Sequence, residues 1–299
     1  MPPSALVATL VANPKNAALS DAAIARVAQA LPGFASTRWL DPGVAADLFF
    51  AADDLAASRE RIRVLAQSEA IDIIVQPAAG RAKKLLIADM DSTLIGQECI
   101  DELAAEVGVG ARVAAITERA MRGEIAFEPA LRERVALLAG LPEGIIARVL
   151  ETRITLTPGA RTLVQTMRAR GAYAAIVSGG FTQFTGAIAG WLGAHEHRAN
   201  ELIVENGNLA GRVGEPILGR EAKLKALRDV SARLSLAPHE SLAVGDGAND
   251  LAMLEAAGLG VAYRAKPAVA AAAHARIDHG DLTALLYAQG IAKRNFVEG

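Results

Sequence analysis

The sequence predicts an α/β protein: a Rossmann-like parallel sheet with a helical cap insertion, preceded by a small α+β domain of ferredoxin-like type. Three observations lead there. Apolar runs at residues 84–88, 172–177 and 242–244 each stop abruptly at small polar or acidic residues, with helical patterns between them. The first eighty residues read strand, helix, strand, strand, helix, strand. The composition is 52% apolar but only 4% aromatic, which suits helices packed on sheets better than an aromatic-rich sandwich.

Residues 5–11 form a short apolar strand. Ser20 followed by Ala22, Ile24, Val27 and Leu31 reads as a capped amphipathic helix. Strands at 36–40 and 45–50, a helix at 54–68 and a strand at 72–75 complete a split βαβ unit, with both helices expected on one face of an antiparallel sheet. Pro77, Gly80, Arg81 and two lysines interrupt the periodicity over 76–83, which divides the chain into domains at 1–80 and 81–299. The stretch 96–157 is mostly helical and lies between the first two apolar strands of the second domain. It is placed to cap the end of the sheet beyond the strands' carboxyl termini, where open parallel sheets bind ligands.

A formal charge of −2 and the lack of any aromatic-interleaved basic patch argue against nucleic-acid binding. Cys99 is the only cysteine, so an internal disulfide and a thiolate metal cluster are both excluded, and a reducing cytoplasm is expected. The start of the chain has no basic, apolar leader pattern. Residues 171–194 carry no formal charge, but Ser178, Gly179, Gly180, Thr182 and Gln183 interrupt them, so no membrane span is expected.

The chemistry sits at the strand ends. Asp89-Met90-Asp91-Ser92-Thr93 follows the first apolar run and offers two carboxylates that repel each other unless a cation and a phosphate lie between them. A carboxylate can attack phosphorus and split one hydrolysis into two easier steps. Alone, such a pair is more often a helix cap or a polar strand end. Ser178-Gly179-Gly180 supplies a hydroxyl and open backbone for phosphate oxygens, and Gly245-Asp246-Gly247-Ala248-Asn249-Asp250 supplies two further acids of the hard-oxygen kind that suits Mg²⁺. A cation against the phosphoryl oxygens can come from Lys223 or from Lys225.

Taken in order, these four segments resemble the motifs of the haloacid dehalogenase-like phosphatase superfamily. Within it, residues 84–290 resemble the phosphoserine phosphatase family, through Gly96-Gln97-Glu98-Cys99-Ile100-Asp101-Glu102 and the stretch from Met121 to Gly140 that contains Phe127, Arg132, Arg134 and Val135. The resemblance implies Mg²⁺-dependent hydrolysis of phosphoserine, the last step of serine biosynthesis, with Asp89 as nucleophile and Asp91 as general acid and then base. It implies metal held by Asp89, Asp91 (through its backbone carbonyl) and Asp246, and phosphate held by Ser178, Gly179 and Lys223. Lys223 is preferred to Lys225 by its distance from the following acidic motif. Asn249 is expected beside the phosphate or substrate, and Asp250 behind the metal water or Lys223. Glu98 and Arg134 are expected on the substrate's ammonium and carboxylate, a division of charge that fits an amino acid. Phe127 and Met121 are expected mainly as cap packing.

Two alternatives from other classes stand beside this reading. One is phosphoryl transfer to a second hydroxyl, or action on another small phosphomonoester. The other is a non-enzymatic amino-acid sensor, since residues 1–80 resemble ACT-like regulatory domains, which also leaves a homodimer open. The loop Asn13-Pro14-Lys15-Asn16-Ala17 carries none of the glycine common in ligand-binding loops of that kind.

Overall fold

A computed structural model describes residues 4–16, 19–122 and 124–298, apart from the side chains of 4, 63–69 and 121. Ala17 and the Met121 side chain, both named above, therefore lie outside the described residues. The N-terminal unit runs β1 (Ser4–Val11), α1 (Asp21–Ala30), β2 (Ser36–Asp41), β3 (Ala45–Ala52), α2 (Leu55–Glu69) and β4 (Asp72–Pro77). Its four strands pair antiparallel in the order β2-β3-β1-β4. Both helices start on side-chain caps, Ser20 accepting from Ala23 N–H and Asp54 from Ala57 N–H.

Strand alternation decides what each face of this sheet meets. Leu6, Ala8 and Leu10 of β1, with Ala46, Leu48 and Phe50 of β3, pack with Ile24 and Val27 of α1 and with Ile62 of α2. The intervening residues point the other way. There Val11, Val44, Ala45 and Ile74 join the core of the second unit, and Asp47 lies between Arg81, Arg38 and Thr9. Asp72 adds a further tie, accepting from the backbone N–H groups of Asp278, His279 and Gly280.

The second unit begins with β5 (Leu85–Ala88) and then rises into four helices, α3 (Cys99–Glu106), α4 (Gly110–Met121), α5 (Phe127–Ala136) and α6 (Gly144–Thr152). The two crossings into this cap are joined. Ile95 bridges Leu156, Thr157 N–H donates to Leu94 O, and Gln97 and Thr155 exchange two hydrogen bonds. The chain continues through α7 (Ala160–Ala169), β6 (Tyr173–Phe181), α8 (Thr182–Leu192), β7 (Glu196–Asn200), and a hairpin of β8 (Leu202–Glu205) and β9 (Asn208–Val213). It ends with α9 (Arg220–Arg233), β10 (Ser241–Gly245), α10 (Leu251–Ala256), β11 (Leu259–Tyr263), α11 (Pro267–Ala272), β12 (Ala275–Ile277) and α12 (Ala284–Ala288).

Six strands form a parallel sheet in the order β12-β11-β10-β5-β6-β7. Leu86 and Ala88 of β5 face the side covered by α7, α8 and α12, whereas Leu85 and Ile87 face the side of α9, α10 and α11. Burial on both faces explains why β5, β6 and β10 read as continuous apolar runs. The sheet order puts β10, β5 and β6 side by side at its centre. The three polar clusters that follow them therefore meet at one edge.

The hairpin was not expected from the sequence. Asn206 and Gly207, at φ 50° and 74°, make the tight turn, and β9 then packs on α5, with Gly140 N–H bonded to Leu209 O and Leu209 N–H to Leu141 O. These inserted helices thus rest partly on a segment about seventy residues further along the chain. Residues 171–194, the uncharged stretch, fold into β6 and α8. Among the described residues no helix is long and apolar enough to cross a membrane.

Candidate active site

Asp89 N–H still donates to Val244 O of β10, and beyond Asp89 the chain folds back on itself. Met90 O accepts from the N–H groups of Thr93, Leu94 and Ile95, and Ser92 takes up a left-handed conformation at φ 53°. Alternation from Leu85 and Ile87 carries Asp89 to the side of α9, whereas Asp91 lies in the turn, and the partners of the two acids differ. Asp89 Oδ2 lies 2.7 Å from Lys223 Nζ, with Oδ1 accepting from Met90 N–H. Asp91 Oδ1 accepts from Cys99 N–H at the root of the cap, at 3.2 Å.

Lys223 reaches this point from the first turn of α9, and its side chain is 1% exposed. Its ammonium is shared between Asp89 and Asp250 Oδ1, each at 2.7 Å. Asp250 is itself held, with Oδ2 accepting from Gly247 N–H. Gly245 makes room for this arrangement: a Cβ there would come within 2.3 Å of Asp250 Cγ. Lys225 instead pairs with Asp229 on the solvent side, which separates the two candidate lysines.

Asp246 accepts from Thr93 Oγ1 at 3.0 Å. Carboxylate oxygens of Asp89, Asp246 and Asp250 all lie within 4.8 Å of one another. Three acids around one ammonium leave excess negative charge in a poorly solvated place. Burial, against the pull of Lys223 and with the push of Asp250, holds the Asp89 carboxyl well above the ordinary range. Burial and Asp250 raise Asp246 to about 6. Although burial alone lowers the Lys223 ammonium, Asp89 and Asp250 more than reverse that and keep it charged. An all-oxygen donor set with surplus charge fits a hard divalent cation.

The Ser178-Gly179-Gly180 segment approaches the first acidic motif at Asp91. The assigned strand β6 continues to Phe181, with irregular pairing between Val177 and Phe181, so Ser178-Gly179-Gly180 lies in the strand's distorted end rather than after it. Gly180 N–H donates to Ser178 Oγ at 2.9 Å. A Cβ on Gly180 would stand 2.8 Å from Asp91 Oδ2, so glycine is required for the two motifs to approach. Burial, reinforced by the Glu98 carboxylate, raises Asp91 to about 7.

The cap brings the remaining groups. Glu98 accepts from Ser92 Oγ at 2.6 Å, and burial raises its carboxyl. Arg134 is half-buried on α5, donates to Ala130 O and Thr117 Oγ1, and lies within electrostatic reach of Asp101 and Glu98. Asn249 stands at the far side of the acidic motif, close to Gly247. Arg132 points away and pairs with Glu215. Phe127, expected as cap packing, is 40% exposed, and its ring covers Gly179 and Gly219. Thr93, Asp101, Thr117 and Asn200 were given no role in the sequence reading. Thr93 and Asp101 lie inside the segments that carry the resemblance, whereas Thr117 and Asn200 lie outside them.

Comparison with known proteins agrees with this geometry. The family model of haloacid dehalogenase-like hydrolases matches residues 86–255. A phosphoserine phosphatase of Archaeoglobus fulgidus is 44% identical over 234 residues, covering 78% of this chain and 68% of the relative, and one of Albidiferax ferrireducens is 48% identical over 208 residues, covering 68% and 88%. A phosphoserine phosphatase of Mycobacterium tuberculosis is 44% identical over 77% of this chain, which spans just over half, 56%, of that relative. Among solved structures, a hydrolase of the same family from Salmonella enterica superposes with TM-score 0.85 at 29% identity, over 97% of this chain and 98% of the other. A phosphoserine phosphatase described as a phospho-aspartyl intermediate analogue has TM-score 0.64 at 40% identity, over 69% and 98%. With the acids, the serine–glycine segment and the buried lysine brought to one end of the sheet, and with relatives at this level of identity, the chain belongs to the haloacid dehalogenase-like hydrolases and, within them, to the phosphoserine phosphatases.

Proposed function

We propose that the protein hydrolyses O-phosphoserine to serine and phosphate through an aspartyl-phosphate on Asp89, as the last step of serine biosynthesis in the cytoplasm. The observation that carries this reading is the buried Asp89–Lys223–Asp250 cluster beside Asp246, roofed by a cap that presents both an acid and an arginine. The lone, buried Cys99 supports a reducing compartment.

The Asp89 carboxylate attacks phosphorus in line, and Asp91 gives its proton to the departing serine oxygen. A carboxyl near pKa 7 is half-protonated at neutral pH, so Asp91 can then take a proton from the water that hydrolyses the intermediate. Lys223, the Ser178 hydroxyl and the Gly179 N–H hold phosphate oxygens, and Asp250 fixes the lysine's position. Asn249 borders the phosphate. Asp89, the Asp91 carbonyl and Asp246 would hold Mg²⁺, which supplies charge neutralisation at the phosphoryl oxygens. Glu98 takes the substrate ammonium and Arg134 its carboxylate, while Phe127 shields the reacting centre from water.

The domain division at 80/81, with the cap at about 96–157, is part of the proposal. The order β2-β3-β1-β4 with both helices on one face supports an ACT-like assignment for the first domain, with a regulatory or dimerising role. A substrate panel of phosphoserine, phosphothreonine, phosphotyrosine and sugar phosphates, with Mg²⁺ and with chelator, tests the reading. Preference for phosphoserine that disappears with chelator supports it; a preference for sugar phosphates, or product formed only with a second hydroxyl acceptor, rejects it.

A further inference from the structure

Asn200 closes β7, and the residue is 2% exposed. Its side-chain amide is committed to the backbone of two separate loops. Nδ2 donates to Gly179 O at 2.8 Å and to Leu218 O at 3.3 Å, and Oδ1 accepts from Leu218 N–H at 2.6 Å. Both donor and acceptor ends of the amide are therefore used, and neither touches the acid–lysine cluster.

Each loop leads to a group at the phosphate end of the site. Gly179 lies between Ser178 and Gly180. Leu218 precedes Gly219, the N-cap of α9, whose first turn carries Lys223. In a planar trans peptide the C=O and the following N–H point in opposite directions. Holding Gly179 O toward Asn200 therefore turns Gly180 N–H the other way, where Ser178 Oγ accepts it at 2.9 Å. With its oxygen fixed as an acceptor, the Ser178 hydroxyl keeps its own proton to donate. The same two loops also form the floor under the cap: a Cβ on Gly179 would stand 3.5 Å from Phe127 Cζ, and one on Gly219 3.8 Å from Phe127 Cδ1.

We propose that Asn200 is a positioning residue for the phosphoryl site, fixing the Ser178 hydroxyl and the start of the Lys223 helix relative to each other through Gly179 and Leu218. The proposal rests on the phosphatase reading above. It separates phosphoryl recognition, which depends on Asn200, from amino-acid recognition, which depends on the cap. Loss of the amide then affects every phosphate ester alike.

The test compares wild type, N200A and N200D on phosphoserine and on an aryl phosphate, with orthovanadate as inhibitor and thermal melting as the control for folding. In N200D the acceptor for Leu218 N–H survives, while a carboxylate replaces the donor to two carbonyls. The expected result is a fall in kcat/KM of about tenfold or more for both esters in parallel, and vanadate inhibition weakened to a similar extent. The ratio of the two substrates should stay within about threefold, and N200A should move the same way. Folded variants whose vanadate inhibition and kcat/KM stay within about twofold of wild type would overturn the assignment. So would failure of both variants to fold, which would make Asn200 a residue of the core. Absence of turnover of either ester by wild type would instead remove the phosphatase reading, and this assignment with it.

Discussion

Among the described residues, one buried cluster of opposite charges lies in the seam between the N-terminal sheet and the larger unit, and another in the candidate active site. In the seam, Asp47 is fully buried and meets Arg81 at 2.6 Å and Arg38 at 2.7 Å, with Thr9 Oγ1 as a further donor at 2.8 Å. One acid faces two guanidiniums, and both carboxylate oxygens are satisfied. In the active site one ammonium serves Asp89 and Asp250 while Asp246 stands close by. The seam cluster is complete within the chain, as a structural ion pair must be if its desolvation is to be offset. The site cluster carries surplus negative charge that fits a divalent cation, and shifted acids in a cleft are the usual mark of function.

That contrast can be broken experimentally, and the largest effect should come from the nucleophile. Asp89→Asn should lower kcat by at least about a thousandfold in a folded protein; substantial residual turnover would remove Asp89 from its role. Next come the two buried cations. Lys223→Met should cost about 3 kcal/mol or more in denaturant unfolding because it strands buried carboxylates, and Arg81→Met about 1 to 3 kcal/mol because Asp47 keeps Arg38 and Thr9 as partners. Only Lys223→Met should also lower kcat, by about a hundredfold, while folded Arg81→Met keeps kcat within about twofold. Equal catalytic losses in the two variants would erase the distinction between seam and site.

Smaller effects sharpen the site's internal division. Arg134→Ala should lower kcat/KM for phosphoserine by about thirtyfold, corresponding to about 2 kcal/mol for a desolvated charged hydrogen bond, with an aryl phosphate nearly unaffected. Equal losses on both substrates would place Arg134 outside carboxylate recognition. A further test concerns pH. Asp91 and Asp246 have folded pKa values raised to about 7 and about 6 from 3.8, so the folded metal-free protein holds more protons than the unfolded chain across that window. Their contribution to stability is therefore present below about pH 4 and is lost as pH rises toward 7. Chemical unfolding of the chelated protein between pH 4.5 and 7.5 should show that slope, reduced in Asp91→Asn and in Asp246→Asn; an unchanged slope in both variants would contradict the assignment.

Much of this arrangement was legible because it is local. Apolar runs mark β5, β6 and β10, Ser20 and Asp54 mark helix starts, and the acids follow the strands directly. What escaped was set by distant pairing or by weak patterns. Strand β7, Glu196–Asn200, is a charged edge strand without the apolar run of its neighbours, and β12 has three residues. The Asn206-Gly207 turn was a local hairpin signal that went unread, but its packing on α5 depends on tertiary fit. Asn200 shows the limit most clearly: its hydrogen bonds to Gly179 and Leu218 cross 21 and 18 residues, and nothing in the neighbouring sequence announces them. The different partners of Asp89 and Asp91 are set by the turn at Met90 and by the distant helix α9, which no local pattern marks.

The central claim is that Asp89 becomes covalently phosphorylated. Rapid acid quenching of the Mg²⁺-loaded enzyme with phosphoserine, followed by peptide mapping, tests it directly. The account predicts one phosphoryl group on the peptide containing Asp89, removable by hydroxylamine and absent in Asp89→Asn. Phosphoryl label on another residue, or single-turnover release of phosphate with no labelled peptide at any time, would contradict it.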